Sequence, residues 1–144
     1  MQQRIRFFYQ LPSSFAFTRR TELKRFLQTM IRSEGKQLQE IRIIFCTDKQ
    51  LLQINRDYLQ HNYYTDIITF PFSEPDAPLE AELYISVDRV RENARTGGCS
   101  FKEELHRVIF HGVLHLCGYN DKSSQQIKQM REREAHYLRL YFGA

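Results

Sequence analysis

Two histidines four residues apart inside an apolar run, His111 and His115, constrain this chain more than any other feature. The run reads His111-Gly112-Val113-Leu114-His115-Leu116-Cys117-Gly118-Tyr119-Asn120-Asp121. On a helix, four residues turn through about 400°, so both imidazoles share one face. Gly118 stands where a helix stops and reverses. Asp121 lies just past that turn and can fold back toward the imidazoles. Two imidazole nitrogens and one carboxylate oxygen make a three-ligand zinc site with a fourth position open to water. That is the donor set of a hydrolytic site rather than of a closed structural one.

The rest of the chain bounds what surrounds such a site. Its 144 residues suit one domain, expected to span 1–144 with a core that needs no disulfide staples. The sequence holds no run of eighteen apolar residues, so no membrane span is expected. Basic residues near Met1 are not followed by an apolar signal core, and the expected compartment is the cytoplasm. The three cysteines, Cys46, Cys99 and Cys117, fit neither a disulfide framework nor a CxxC knuckle and read as reduced thiols in or near a core. A formal charge of +4 permits a polyanionic partner without demanding one.

Taken in order, residues 4–9 read as a strand, and Leu11-Pro12-Ser13-Ser14 is turn chemistry. Leu23, Phe26, Leu27, Met30 and Ile31 have helical spacing, with Thr18 or Thr21 as the cap and Gly35 as the stop. Residues 38–46 read as a second strand, and Thr47-Asp48-Lys49-Gln50 is a capping box opening a helix to about Tyr58, with Leu51, Ile54 and Tyr58 inward. After a polar, aromatic loop come strands at 67–70 and 82–86, then a helix with Val87, Val90 and Ala94 on its inner face. Ser100-Phe101-Lys102-Glu103 reads as a second capping box and opens the histidine helix. Ser123-Ser124 caps a last helix through Ile127, Met130, Tyr137, Leu138 and Leu140. The pattern predicts an α/β (α+β) domain with a small mixed four-stranded sheet, about five helices and a zincin-like metal helix.

H-x-x-x-H-x-x-G-x-x-D resembles the extended zincin pattern, in which a glycine turn brings a third ligand round. In H-E-x-x-H peptidases a glutamate follows the first histidine and acts as general base. Gly112 occupies that position here, which weakens a peptidase reading. A glycine within a helix costs about 1 kcal/mol against alanine. Close approach of a backbone or substrate, or simple helix packing, would each offset that. Of the other histidines, His106 falls on a different side of the helix and His136 reads as a surface residue. His61, in the polar loop, is an outside candidate for proton transfer.

The stretch from His111 to Tyr119 resembles the signature H-G-x-L-H-L-x-G-Y-D-H of the YbeY family, bacterial endoribonucleases also described as rRNA maturation factors. Asn55-Arg56-Asp57-Tyr58 and Thr65-Asp66-Ile67-Ile68-Thr69-Phe70-Pro71 are similar to the family's N-x-x-Y-R and T-D-V-L-S-F-P, and Glu82 to Ser86 to its G-D-I-x-I-S. The matches keep the family's order from residue 55 to 121. The chain departs from the pattern at Asp121, where the family has its last histidine, and at Asn120, where it has aspartate. Leu59 aligns with a loop arginine implicated in activity, and Ala81 with a glycine. Arg56, one helical turn before Leu59, is a candidate substitute for that arginine.

The resemblance implies one zinc ion, held here by His111, His115 and Asp121, and cleavage of single-stranded RNA in ribosomal RNA processing. That includes the 3′ end of the small-subunit RNA and ribosome quality control. The implied partners are ribosomal RNA, with the small subunit or assembly proteins, and no DNA or membrane. Water or the ribose 2′-OH could be the nucleophile, and a cyclic phosphate end would exclude the first. A zinc metallopeptidase-like hydrolase and a non-catalytic ribosome assembly factor are the alternative classes.

Overall fold

Period-two alternation sorts the strand residues onto two faces. A computed structural model describes residues 4–11, 15 and 18–143, so the turn expected at Pro12 to Ser14 lies outside the described residues. Along the chain run β1 (Ile5–Gln10), α1 (Arg20–Ser33), β2 (Leu38–Cys46), α2 (Asp48–Leu59), β3 (Ile67–Pro71), β4 (Leu79–Ser86), α3 (Val87–Gly97), α4 (Phe101–Leu116) and α5 (Ser124–Phe142). The sheet order is β1-β2-β4-β3. β1, β2 and β4 are parallel, and β3 returns antiparallel beside β4. This is the expected mixed four-stranded sheet with five helices. β4 begins earlier than expected because Leu79, Glu80 and Ala81 extend its pairing with β2.

Register places odd-numbered apolar residues side by side: Ile5, Ile41 and Ala81; Phe7, Ile43 and Leu83; Tyr9, Phe45 and Ile85. This face meets α1, α3, α4 and α5 in the main core. The opposite face is closed in part by α2, where Leu51 packs with Cys46 and Ile68. Arg42 on that face bonds Glu40 and Glu82. The three cysteines are free, and burial pushes the Cys46 and Cys117 thiols up to about 12. Among the described residues no helix is long and apolar enough to cross a membrane.

The helices correct three local expectations. α1 has no side-chain cap; its N-cap is Arg19 in left-handed backbone, so neither Thr18 nor Thr21 serves. Tyr58 is exposed, and buried Asn55 fills the inner face of α2 instead, clamping the Tyr63 carbonyl at 2.9 Å. On α5, Ile127 and Leu140 are exposed, and the buried line is Met130, Glu134 and Tyr137. The Thr47 capping box forms as expected.

Gly112 lets α4 lie directly on the sheet. A Cβ there would stand 2.7 Å from Ile67 Cδ1 and 3.2 Å from Leu83 Cδ1. Helix-to-sheet packing, one of the two readings left open, therefore accounts for this glycine. Replacing Gly112 with leucine should lower unfolding stability by about 1–3 kcal/mol, read as a lower urea midpoint with an unchanged slope.

A second long-range tie closes the helical layer. Glu34, just past α1, accepts from Tyr119 at 2.9 Å, from Arg133 at 2.7 Å and from Tyr137. Burial works to raise its pKa, but these donors and the Arg133 charge outweigh it and hold the carboxyl below the ordinary value of 4.5. A depressed carboxyl stabilises the fold above its unfolded pKa and loses that contribution as pH falls through its folded value. Glu34→Gln should therefore cost about 1 kcal/mol at neutral pH, a cost that shrinks progressively as the pH is lowered below 4.5, in parallel urea titrations.

Candidate active site

α4 begins where Ser100 Oγ accepts the Glu103 N–H at 3.0 Å. The reciprocal bond of a full capping box, in which the Glu103 side chain would accept from the Ser100 N–H, is not formed among the described residues. At the other end Cys117 closes the helix and Gly118 adopts φ +110°. A Cβ on Gly118 would meet nothing within 4 Å, so backbone conformation alone asks for glycine here. The reversed chain brings Asp121 Oδ2 to 3.4 Å from His111 Nε2.

Glu134, on α5, fixes the state of that imidazole. Its Oε2 accepts from His111 Nδ1 at 2.7 Å. An ionised carboxylate has no hydrogen to give, so Nδ1 carries a proton, and in the neutral imidazole the Nε2 lone pair faces Asp121. Nε2 and Oδ2 are then two acceptors pointed at each other, an arrangement held together by a shared proton or metal cation. Around a tetrahedral ion with bonds near 2.05 Å, donor atoms stand about 3.3–3.4 Å apart, so this pair fits such an ion.

The surrounding charges favour a cation at the same place. Burial works to lower the His111 pKa, but the Glu134 bond and charge, with Asp121 and Asp66 behind them, raise it above the ordinary value. For Glu134 burial works upward, and His111, Arg107 and Arg131 hold it low. Only 1% of the Glu134 side chain is exposed, and its Oε1 accepts from Arg107 at 3.2 Å and Arg131 at 3.3 Å.

His115 is exposed one turn further along α4. Its Nδ1 donates to the Tyr119 carbonyl at 3.0 Å, again leaving Nε2 as the lone-pair nitrogen. Among the described residues no three His, Cys, Asp or Glu side chains are grouped to enclose an ion. His111 and Asp121 line one polar cavity of about 400 Å³, with Asp66 and Asn93 in its wall, and His115 is not part of that lining.

Neither Arg56 nor His61 lines the cavity. Arg56 donates to Asn62 at 2.5 Å, and His61 stacks on Tyr63 with a 2.9 Å bond to its hydroxyl. Leu59 is exposed at the end of α2. His106 is buried, donating to the Lys102 carbonyl at 2.7 Å and stacking on Tyr141. His136 is half-buried against Tyr137.

Sequence reasoning missed Glu134, Arg107 and Arg131. One signal was available: Met130, Glu134 and Tyr137 have helical spacing, so a carboxylate stands in an otherwise apolar stripe. Such a position calls for a buried cationic partner.

Comparison with known proteins places this arrangement in context. The family model described as endoribonuclease YbeY matches residues 12–141. The chain is similar to a protein of Cytophaga hutchinsonii named endoribonuclease YbeY, 42% identical over 140 residues, covering 97% of this chain and 98% of the relative. A protein of the same name from Bacteroides thetaiotaomicron is 47% identical over 122 residues, 85% of this chain and 88% of the relative. The solution structure of TM1509 from Thermotoga maritima superposes with a TM-score of 0.67 at 28% identity, covering 96% of this chain and 89% of that one.

Removing the shared carboxylate strands the cations around it. Glu134→Ala should lower unfolding stability by about 3 kcal/mol, measured by urea denaturation at neutral pH.

Proposed function

The chain belongs to the endoribonuclease YbeY family, and from that premise we propose that it is a zinc-dependent endoribonuclease cleaving single-stranded RNA in ribosomal RNA maturation. The observation that carries the reading is the pair of facing acceptors, His111 Nε2 and Asp121 Oδ2, 3.4 Å apart. His111, Asp121 and His115 would hold one zinc ion, with His115 contributing its Nε2. When bound there, zinc supplies Lewis acidity toward a phosphoryl oxygen and toward water.

The chain's own residues prepare that chemistry. Glu134 and the Tyr119 carbonyl each accept from an Nδ1, so each imidazole, when neutral, carries its lone pair on Nε2. The Gly118 turn supplies the carboxylate. Gly112 is packed against Ile67 and Leu83, so the position of the peptidase general base carries no side chain; this supports phosphodiester over peptide chemistry. Two of the three free thiols are buried, which suits a reducing cytoplasm. Within that setting the substrate is the small-subunit RNA near its 3′ end, met on the ribosomal subunit or with assembly proteins, and the activity extends to ribosome quality control.

Purified protein should carry about one zinc per chain, and Asp121→Ala or His115→Ala should lower metal affinity at least 10-fold and cleavage of a labelled single-stranded RNA about 100-fold or more. Equal cleavage by wild type and His115→Ala would sink the zinc-nuclease reading. In cells, loss of the protein should cause small-subunit RNA with an extended 3′ end to accumulate, read by primer mapping.

A further inference from the structure

The cavity beside His111 and Asp121 is bordered by two guanidinium groups in different states. Arg107 is committed: Nε and Nη2 donate to Glu104 and Nη1 to Glu134. Arg131 is 61% exposed, and Nη1 to Glu134 at 3.3 Å is the side-chain bond it makes among the described residues. Its Nε and Nη2 remain as a parallel pair of donors. That fork matches two oxygens of a phosphate, which a lysine cannot do.

Glu134 anchors Arg131 by one nitrogen, and the same carboxylate holds His111 through its other oxygen. The guanidinium is therefore tied to the group that orients the reacting end of the cavity. The carboxylates of Asp66 and Asp121 lie beside His111 and repel an anion there. The α5 side, where Arg107, Arg131 and His111 surround the Glu134 charge, is the side that receives one.

We propose that Arg131 holds a backbone phosphate of the RNA in this cavity, donating from Nε and Nη2 while Nη1 stays on Glu134. The assignment rests on the RNA-cleaving reading above and gives the chain the phosphate contact that Leu59 cannot supply. Arg131 is a substrate-binding residue; it does not touch the metal donors.

The experiment measures binding of a 2′-O-methylated single-stranded RNA, checked by gel to stay intact, to the purified protein across a salt series, beside cleavage of the unmodified RNA. Arg131→Ala should weaken binding about tenfold and flatten the log–log salt dependence by about one. Arg131→Lys should keep the salt slope and recover part of the affinity. Arg139→Ala, an exposed change on the same helix outside this cavity, should leave both at wild-type values. Arg131→Ala matching wild type in affinity and slope overturns the inference while wild-type cleavage leaves the functional reading standing. An equal loss in Arg139→Ala also overturns it, because the effect is then one of general charge. Wild-type protein that neither binds nor cuts RNA overturns the functional reading and this inference with it.

Discussion

A single buried carboxylate, Glu134, joins α4 to α5 and sets the chemistry of the cavity between them. It stands in the apolar stripe of α5 and meets His111, Arg107 and Arg131. A lone carboxylate would not stay charged at that depth. Two guanidinium groups and an imidazole N–H make the charge tenable, and each is oriented in return. The imidazole is held in one tautomer with its free nitrogen toward Asp121. One guanidinium is locked into the helix interface, and the other keeps part of its fork for the cavity. Helix packing and site geometry thus depend on the same two oxygen atoms.

The features that could be read from the sequence are those with a local cause. Strand alternation, the Thr47 capping box and the glycine turn at Gly118 each follow from neighbours within a few residues. The spacing of His111 and His115 and the return of the chain toward Asp121 belong to the same class. Glu134 is 23 residues from His111, and no local periodicity joins them. It registered only as an anomaly in an apolar stripe, and its partner needed the fold. Tyr58 failed for a related reason: helical spacing places it inward, but the buried position on that face of α2 belongs to Asn55, whose partner is the Tyr63 carbonyl in the following loop.

Gly112 shows two constraints meeting at one residue. Its missing side chain lets α4 approach Ile67 and Leu83, and the same absence leaves the position after His111 without a carboxylate. Close helix–sheet contact and the choice of substrate class are therefore coupled. A glutamate here would meet the sheet before it could meet a substrate. The polar groups gather instead in the cavity wall, where α3, α4 and α5 supply them from three directions.

The parallel pairing of β1 with β2 and of β2 with β4 also shapes how the molecule comes into being. Neither pair can form as a hairpin, and the β2–β4 register joins residues about 40 positions apart. Only β3 and β4 are antiparallel neighbours in sequence. A sheet built this way carries a large loop-closure cost before its contacts return anything, and such topologies fold more slowly than helical bundles. On a growing chain, β2 waits for β4 to complete its second pairing, and α4 and α5 arrive last of all. The cavity beside His111 is then the final part of the molecule to exist, because α5 must be in place before Arg131 can close its wall.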